Sequence, residues 1–183
     1  MEGAPGWAGR ILLADLDRGE ARCIPTSDYA AQALGGRSLG AALAWDLVRP
    51  GMDAFDPGNP LMLLSGPLAG SMAPSAGRIT VCALSPQCYP KPWFSRSSMG
   101  GDLGHQLKAA GYDGVVVIGR AARPVYLCIT AQGASIEDAE GLWGLGIMAT
   151  QAALQGRHGA KAQVAAIGQA GENLSRIASI GGN

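Results

Sequence analysis

Residues 10–24 read Arg-Ile-Leu-Leu-Ala-Asp-Leu-Asp-Arg-Gly-Glu-Ala-Arg-Cys-Ile. The apolar run Arg10–Leu16, the polar turn Asp17–Glu20 and the return over Ala21–Ile24 describe a β-hairpin. A fold that opens on a hairpin is not a regular βαβ wheel, in which helices separate the strands. Outward from it, Asp28–Leu34 reads as a short helix capped by Ser27 or Asp28 and stopped by Gly35-Gly36. Leu39–Val48 carries leucines at helical spacing and ends at Arg49-Pro50-Gly51. Leu61–Ser65 is a strand, Gly66–Gly77 a loop of small residues and proline, and Arg78–Leu84 an alternating strand. Ser85–Met99, with Pro86, Pro90 and Pro92, reads as irregular.

Gly100-Gly101 then opens a helix over Asp102–Ala110, and Val115–Ile118 is a buried strand. Pro124–Thr130 and Ala134–Glu137 form a second hairpin around Gln132-Gly133. A helix over Ile147–Arg157, a strand over Val164–Ile167, a turn over Gly168–Glu172 and a last strand over Asn173–Ile180 complete the chain. That order predicts an α+β fold: mixed, largely antiparallel sheet with a few short helices. No fixed-period repeat is present.

The chain has 183 residues, a length that suits one domain, 1–183. Fourteen basic residues balance fourteen acidic ones, so there is no electrostatic footprint for nucleic acid. Hydrophobic residues at 48% exclude a disordered chain. Charged residues are only 15%, against ~25% in ordinary soluble domains, which points to a surface partly covered by something else. No apolar run approaches the ~20 residues of a membrane span, and Met1–Arg10 has no secretory pattern. Cys23, Cys82, Cys88 and Cys128 are too dispersed for a small disulfide framework. A cytoplasmic, reduced chain with buried free thiols is the expectation.

Motifs for autonomous chemistry are few. Gly144-Leu145-Gly146-Ile147-Met148-Ala149 matches a dinucleotide fingerprint in spacing but follows a polar segment, so it reads as the start of a helix. Cys82 and Cys88 lack metal-ligand spacing, and His105 and His158 stand far apart in sequence. No catalytic residue is assigned. Two loops carry more information. Gly66–Gly77 exposes backbone among small residues and delivers Arg78 to a strand, where its fork of donors suits a phosphate. Arg96-Ser97-Ser98-Met99-Gly100-Gly101 leads into a helix and offers hydroxyls and amides to an anion. Each is read either as an anion site or as an ordinary surface turn.

Further segments fall into one pattern. Gly6–Arg10 leading into Ile11–Leu16, Leu34–Arg37, Gly66–Gly70, Met99–Gly104, Leu107–Asp113 and Ala165–Asn173 resemble the N-terminal domain of the tungsten-dependent aldehyde ferredoxin oxidoreductases. They stand in that family's order over essentially the whole chain. The resemblance implies a pair of β-sheets serving as the base for a tungsto-bis-pterin, with tungsten or molybdenum as the metal. It implies cofactor contacts at Arg78, Ser98, Gly100 and Gly101, and a magnesium ion bridging the pterin phosphates and held by the Ser98 backbone. The sequence departs from the family at Ser98, where better-known members have asparagine, which puts side-chain contacts there in doubt. The family's metal has no protein ligand.

Family members continue past Asn183 into a second pterin-binding stretch and helical domains that carry a [4Fe–4S] cluster. The resemblance therefore implies a partner subunit or remaining domains, with ferredoxin as electron acceptor; a homodimer is left open. The complete enzyme would oxidise an aldehyde to a carboxylic acid, and this chain alone would be inactive, without a cluster of its own. The alternatives are a standalone pterin-cofactor carrier and a structural subunit without turnover.

Overall fold

In β1 (Arg10–Asp15), Ile11 and Leu13 point to one face and Leu12 to the other, and all three are buried. A strand with apolar residues on both faces belongs inside a sheet covered on both sides. The computed structural model, which describes residues 5–88 and 90–182, shows this. The first half of the chain holds β1, β2 (Glu20–Pro25), α1 (Ser27–Ala30), α2 (Gly36–Leu47), β3 (Leu61–Leu64), β4 (Ile79–Ser85) and β5 (Trp93–Met99). The second half holds α3 (Leu103–Ala109), β6 (Gly114–Ile118), β7 (Val125–Thr130), β8 (Gly133–Asp138) and α4 (Ile147–His158). It ends in β9 (Ala165–Ala166), α5 (Gln169–Glu172) and β10 (Gly181–Gly182).

Six strands make the main sheet in the order β2-β1-β6-β3-β4-β5. Only the β1–β6 pair in it is parallel; the rest are antiparallel. Two small antiparallel pairs, β7–β8 and β9–β10, stand beside it. One face of the main sheet packs Ile11, Leu13, Met62, Leu64, Cys82 and Val116 against Leu39 and Leu43 of α2. Full burial of each such leucine contributes roughly 1.5–3 kcal/mol. On the other face, Leu12, Ile79 and Val115 pack with Leu107 of α3 and Tyr112, and Leu127, Ile129 and Ala134 of the β7–β8 hairpin close over them. A third cluster joins Leu154 of α4 to Ala139, Leu142 and Val164.

Asp113, just before β6, ties these layers together. Its buried carboxylate accepts the amides of Ala8 and Gly9 at 2.9 and 2.8 Å and the Thr26 hydroxyl at 2.6 Å. It also pairs with the Lys108 ammonium from α3, whose side chain is only 7% exposed. The Asp113 carbonyl accepts both the amide and the hydroxyl of Ser65, at the end of β3.

The fold class and both hairpins agree with the sequence reading, and four local expectations do not. Residues 93–99 form a strand within the segment expected to be irregular, because they pair along the whole of β4. The segment expected as a final strand, Asn173–Ile180, is made of turns; Leu174 takes a positive φ of 54°, and pairing is confined to Gly181–Gly182. The expected turn at Gly168–Glu172 winds into α5. The first helix is only Ser27–Ala30, and its N-cap is Thr26, whose hydroxyl serves Asp113 instead of the helix. Of the thiols, Cys82 is buried, Cys88 and Cys128 are half-buried and Cys23 is exposed, since its strand lies at the sheet edge. The readings that rest on residues 1–4 and on Asn183 lie outside the described residues.

Candidate functional site

The β4–β5 pairing decides where the two sequence-predicted loops meet. Ile79 stands opposite Met99 and Thr80 opposite Ser98. Arg78 immediately precedes Ile79 and Gly100 immediately follows Met99, so these two residues stand just past the last pair of the ladder. Arg78, Ser98, Gly100 and Gly101, from segments twenty residues apart, thus share one edge of the sheet, and all four are exposed. Among the described residues β5 is the outermost strand, so its outer backbone groups have no described strand beside them. Gly101 adopts a φ of 89°, which a side chain would strain, and nothing lies within 4 Å of where a Cβ on Gly100 would sit.

Two further cations stand here: Arg96, which opens the second sequence-predicted loop, and Arg37, which sequence reading gave no site role. Gly40 of α2 lies over Cys82, where a Cβ would come within 2.7 Å of the sulfur, and Gly36 lies over Thr80. Cross-strand partners share a face, so Arg96 and Ser98, opposite Cys82 and Thr80, lie on the α2 side of β5. Burial pushes the Cys82 thiol up, and the guanidiniums of Arg96 and Arg37 act against that shift. Arg37 stands in the first turn of α2. The face on which Arg96 lies follows from the pairs Cys82–Arg96 and Thr80–Ser98, and so was hidden until the pairing was known.

The 66–77 loop is ordered by its own turns. Ala69 and Ser71 donate their amides to the carbonyls of Gly66 and Leu68, and the Ser71 hydroxyl bonds the Leu68 carbonyl at 2.6 Å. Its end is pinned by α3: Gly77 lies against the His105 ring, and a Cβ on Gly104 would collide with the Gly77 carbonyl. Arg78 is thus carried on a short, packed support. From the other side, Gly182 of β10 packs on Met99, next to Gly100. Glu172 in turn accepts the Gly144 amide with both carboxylate oxygens at 3.0 Å and so holds the β9–β10 segment to the start of α4.

Guanidiniums, exposed backbone and glycines without side chains bind anions and bring them close to the chain. Among the described residues, no three His, Cys, Asp or Glu side chains gather to ligate a metal. A cavity of about 660 Å³ lies at the other end of the sheet, beside Asp15, Asp17, Asp56 and Ile118. Its carboxylates accept backbone amides of their own turns or, for Asp17, of Arg120. Among the described residues, no helix is long and apolar enough to cross a membrane.

The family model for the aldehyde ferredoxin oxidoreductase N-terminal domain matches residues 11–183. The tungsten-containing aldehyde ferredoxin oxidoreductase of Thermococcus kodakarensis is 37% identical over 174 residues, which is 94% of this chain and 28% of that protein. The aliphatic sulfonate oxidoreductase, WOR-like subunit, of Pyrococcus furiosus is 34% identical over 142 residues, 75% of this chain and 22% of its own. Among solved structures, the active-site complex BamBC of benzoyl coenzyme A reductase with 1,5-dienoyl-CoA superposes with a TM-score of 0.92 at 35% identity. It covers 97% of this chain and 27% of that one. The match therefore spans 22–28% of the length of these relatives.

Proposed function

The chain belongs to the aldehyde ferredoxin oxidoreductase family, and from that premise we propose that it is the base on which a tungsten or molybdenum bis-pterin rests. The observation that carries this reading is the β4–β5 register, which sets Arg78, Ser98, Gly100 and Gly101 on one edge. The donor set suits the group. Arg78 would hold pterin phosphate with a fork of charged donors, each contact worth roughly 1.5–3 kcal/mol. Gly100 and Gly101 would let the cofactor approach the backbone, and the Ser98 backbone would hold a magnesium ion that neutralises phosphate charge. A serine in this position offers its carbonyl as well as an asparagine does, so only the side-chain contact differs.

When bound, such a group supplies a metal that exchanges electrons with a substrate. This chain contributes binding and orientation. In the complete enzyme we read oxidation of an aldehyde to a carboxylic acid, with electrons leaving through a [4Fe–4S] cluster to ferredoxin and with the remaining domains or a partner subunit closing the site. Relatives named for aldehyde, sulfonate and benzoyl-coenzyme A chemistry match this domain at 34–37% identity. That near equality supports a domain whose task is holding cofactor, with substrate choice made elsewhere. Expressing the protein with tungstate or with molybdate and measuring metal and pterin per chain tests this. The two should rise together; metal retained without pterin would overturn it.

A further inference from the structure

His158, the last residue of α4, reaches two side chains on one face of β7. The Tyr126 hydroxyl lies 3.0 Å from its Nε2 and the Cys128 sulfur 3.9 Å from its Nδ1. The tyrosine ring meets the imidazole edge-on, with centroids 5.7 Å apart. One imidazole thus joins a thiol on one nitrogen and a phenol on the other, which fixes the plane of the ring. A nucleophile, a base in reach and a third group that orients the base make the arrangement of an activated thiol.

We propose that Cys128 is a reactive thiol and a modification site for low-molecular-weight disulfides, with His158 as its base and Tyr126 as a positioning residue. It uses none of the residues at the β4–β5 edge. The other groups around it do not compete for the proton. Across the hairpin, Ser135 and Glu137 stand opposite Cys128 and Tyr126, and the Ser135 hydroxyl donates to the Glu137 carboxylate at 2.6 Å. Arg157, next to His158, donates to the Glu140 carbonyl. Cys128 is half-buried and His158 exposed, so a small disulfide can enter.

In the step itself, the Cys128 sulfur attacks one sulfur of the disulfide. A new S–S bond forms, the old one breaks, and the departing thiolate takes the proton that His158 removed. No external oxidant is needed.

Oxidised glutathione added to the purified protein, with peptide mapping of each mixed disulfide over time, tests the proposal. Cys23 is the internal reference, since it is exposed and no described histidine bonds it. Cys128 should react at least about threefold faster than Cys23, a gap that exchange chemistry allows between an assisted and an unassisted thiol. His158→Gln should slow Cys128 about tenfold and leave Cys23 unchanged, less than the ~100-fold of a fully positioned base because the sulfur lies 3.9 Å away. Tyr126→Phe should fall between. Equal rates at Cys128 and Cys23, or a Cys128 rate indifferent to His158→Gln, would overturn it.

Discussion

Four donors converge on the carboxylate of Asp113, from the segment before β1, from the residue after β2 and from α3. Removing it would leave the Lys108 ammonium buried and unpaired. Asp113→Ala is expected to cost roughly 3–5 kcal/mol in chemical unfolding, the range for breaking a buried pair. At the surface of the same face, burial and the hydrogen bond to Asp46 push the Tyr29 phenol up to about 12. The folded protein holds this proton above the ordinary value near 10, so the stabilisation is complete below pH 10 and is lost as pH rises toward 12. Tyr29→Phe should therefore lower stability at neutral pH, where the hydrogen bond to Asp46 is lost, and flatten the fall of stability with pH in that window, as melting curves across the range would show. The exposed place of Arg78 at the entrance to β4 was legible from sequence because a loop of small residues leads up to it. Arg96 was named in the second loop, but its neighbours Cys82 and Arg37 were not legible, since they are far from it in sequence and only the fold brings them near.

Elements with a buried face were readable, and so were the two hairpins with a turn to mark them; β5 and the 173–180 segment, with neither signal, were not. Leu39 and Leu43 announce α2, and Val115 and Val116 announce β6, because the core demands their periodicity. β5 hides behind three prolines and keeps both faces largely exposed, Trp93 at 71% included, so no apolar alternation marks it. The 173–180 segment misleads in the opposite way: Leu174 and Ile177 look like strand residues yet are 60% and 80% exposed. Arg176 instead anchors that segment, donating to the Pro86 carbonyl at 2.8 Å. Helix glycines give a sharp test at this scale. Gly156→Ala in α4 meets no atom within 4 Å and should stabilise by about 0.5–1 kcal/mol through propensity. Gly104→Ala in α3 meets the Gly77 carbonyl and should destabilise by about 1–3 kcal/mol through overpacking. Thermal melts of the two variants should move in opposite directions. Gly104→Ala should also loosen cofactor retention, because the displaced backbone is the support of Arg78.

Across the whole molecule, the sparse charge of the sequence corresponds to large apolar side chains left in the open, among them Leu34, Leu68 and Met72. Composition alone could say that something covers such a surface; only the resemblance carried by Leu107–Asp113 and Ala165–Asn173 could say what. The thiols also sort at this scale. Cys23 lies on β2, Cys82 in the core under α2 and Cys128 on the β7–β8 hairpin, so they cannot converge on one cluster. Anaerobically purified chain is expected to hold far less than stoichiometric iron, measured by elemental analysis beside its visible spectrum. The central claim is that the β4–β5 edge holds the pterin cofactor through Arg78, and metal and pterin content of Arg78→Ala and Arg78→Lys test it most directly. Arg78 is exposed and makes no ion pair with a described residue, so both variants should melt with the natural protein. Cofactor content should fall in Lys, which keeps the charge without the fork, and fall further in Ala. Full occupancy in Arg78→Ala, or a collapse of its melting temperature, would contradict the account.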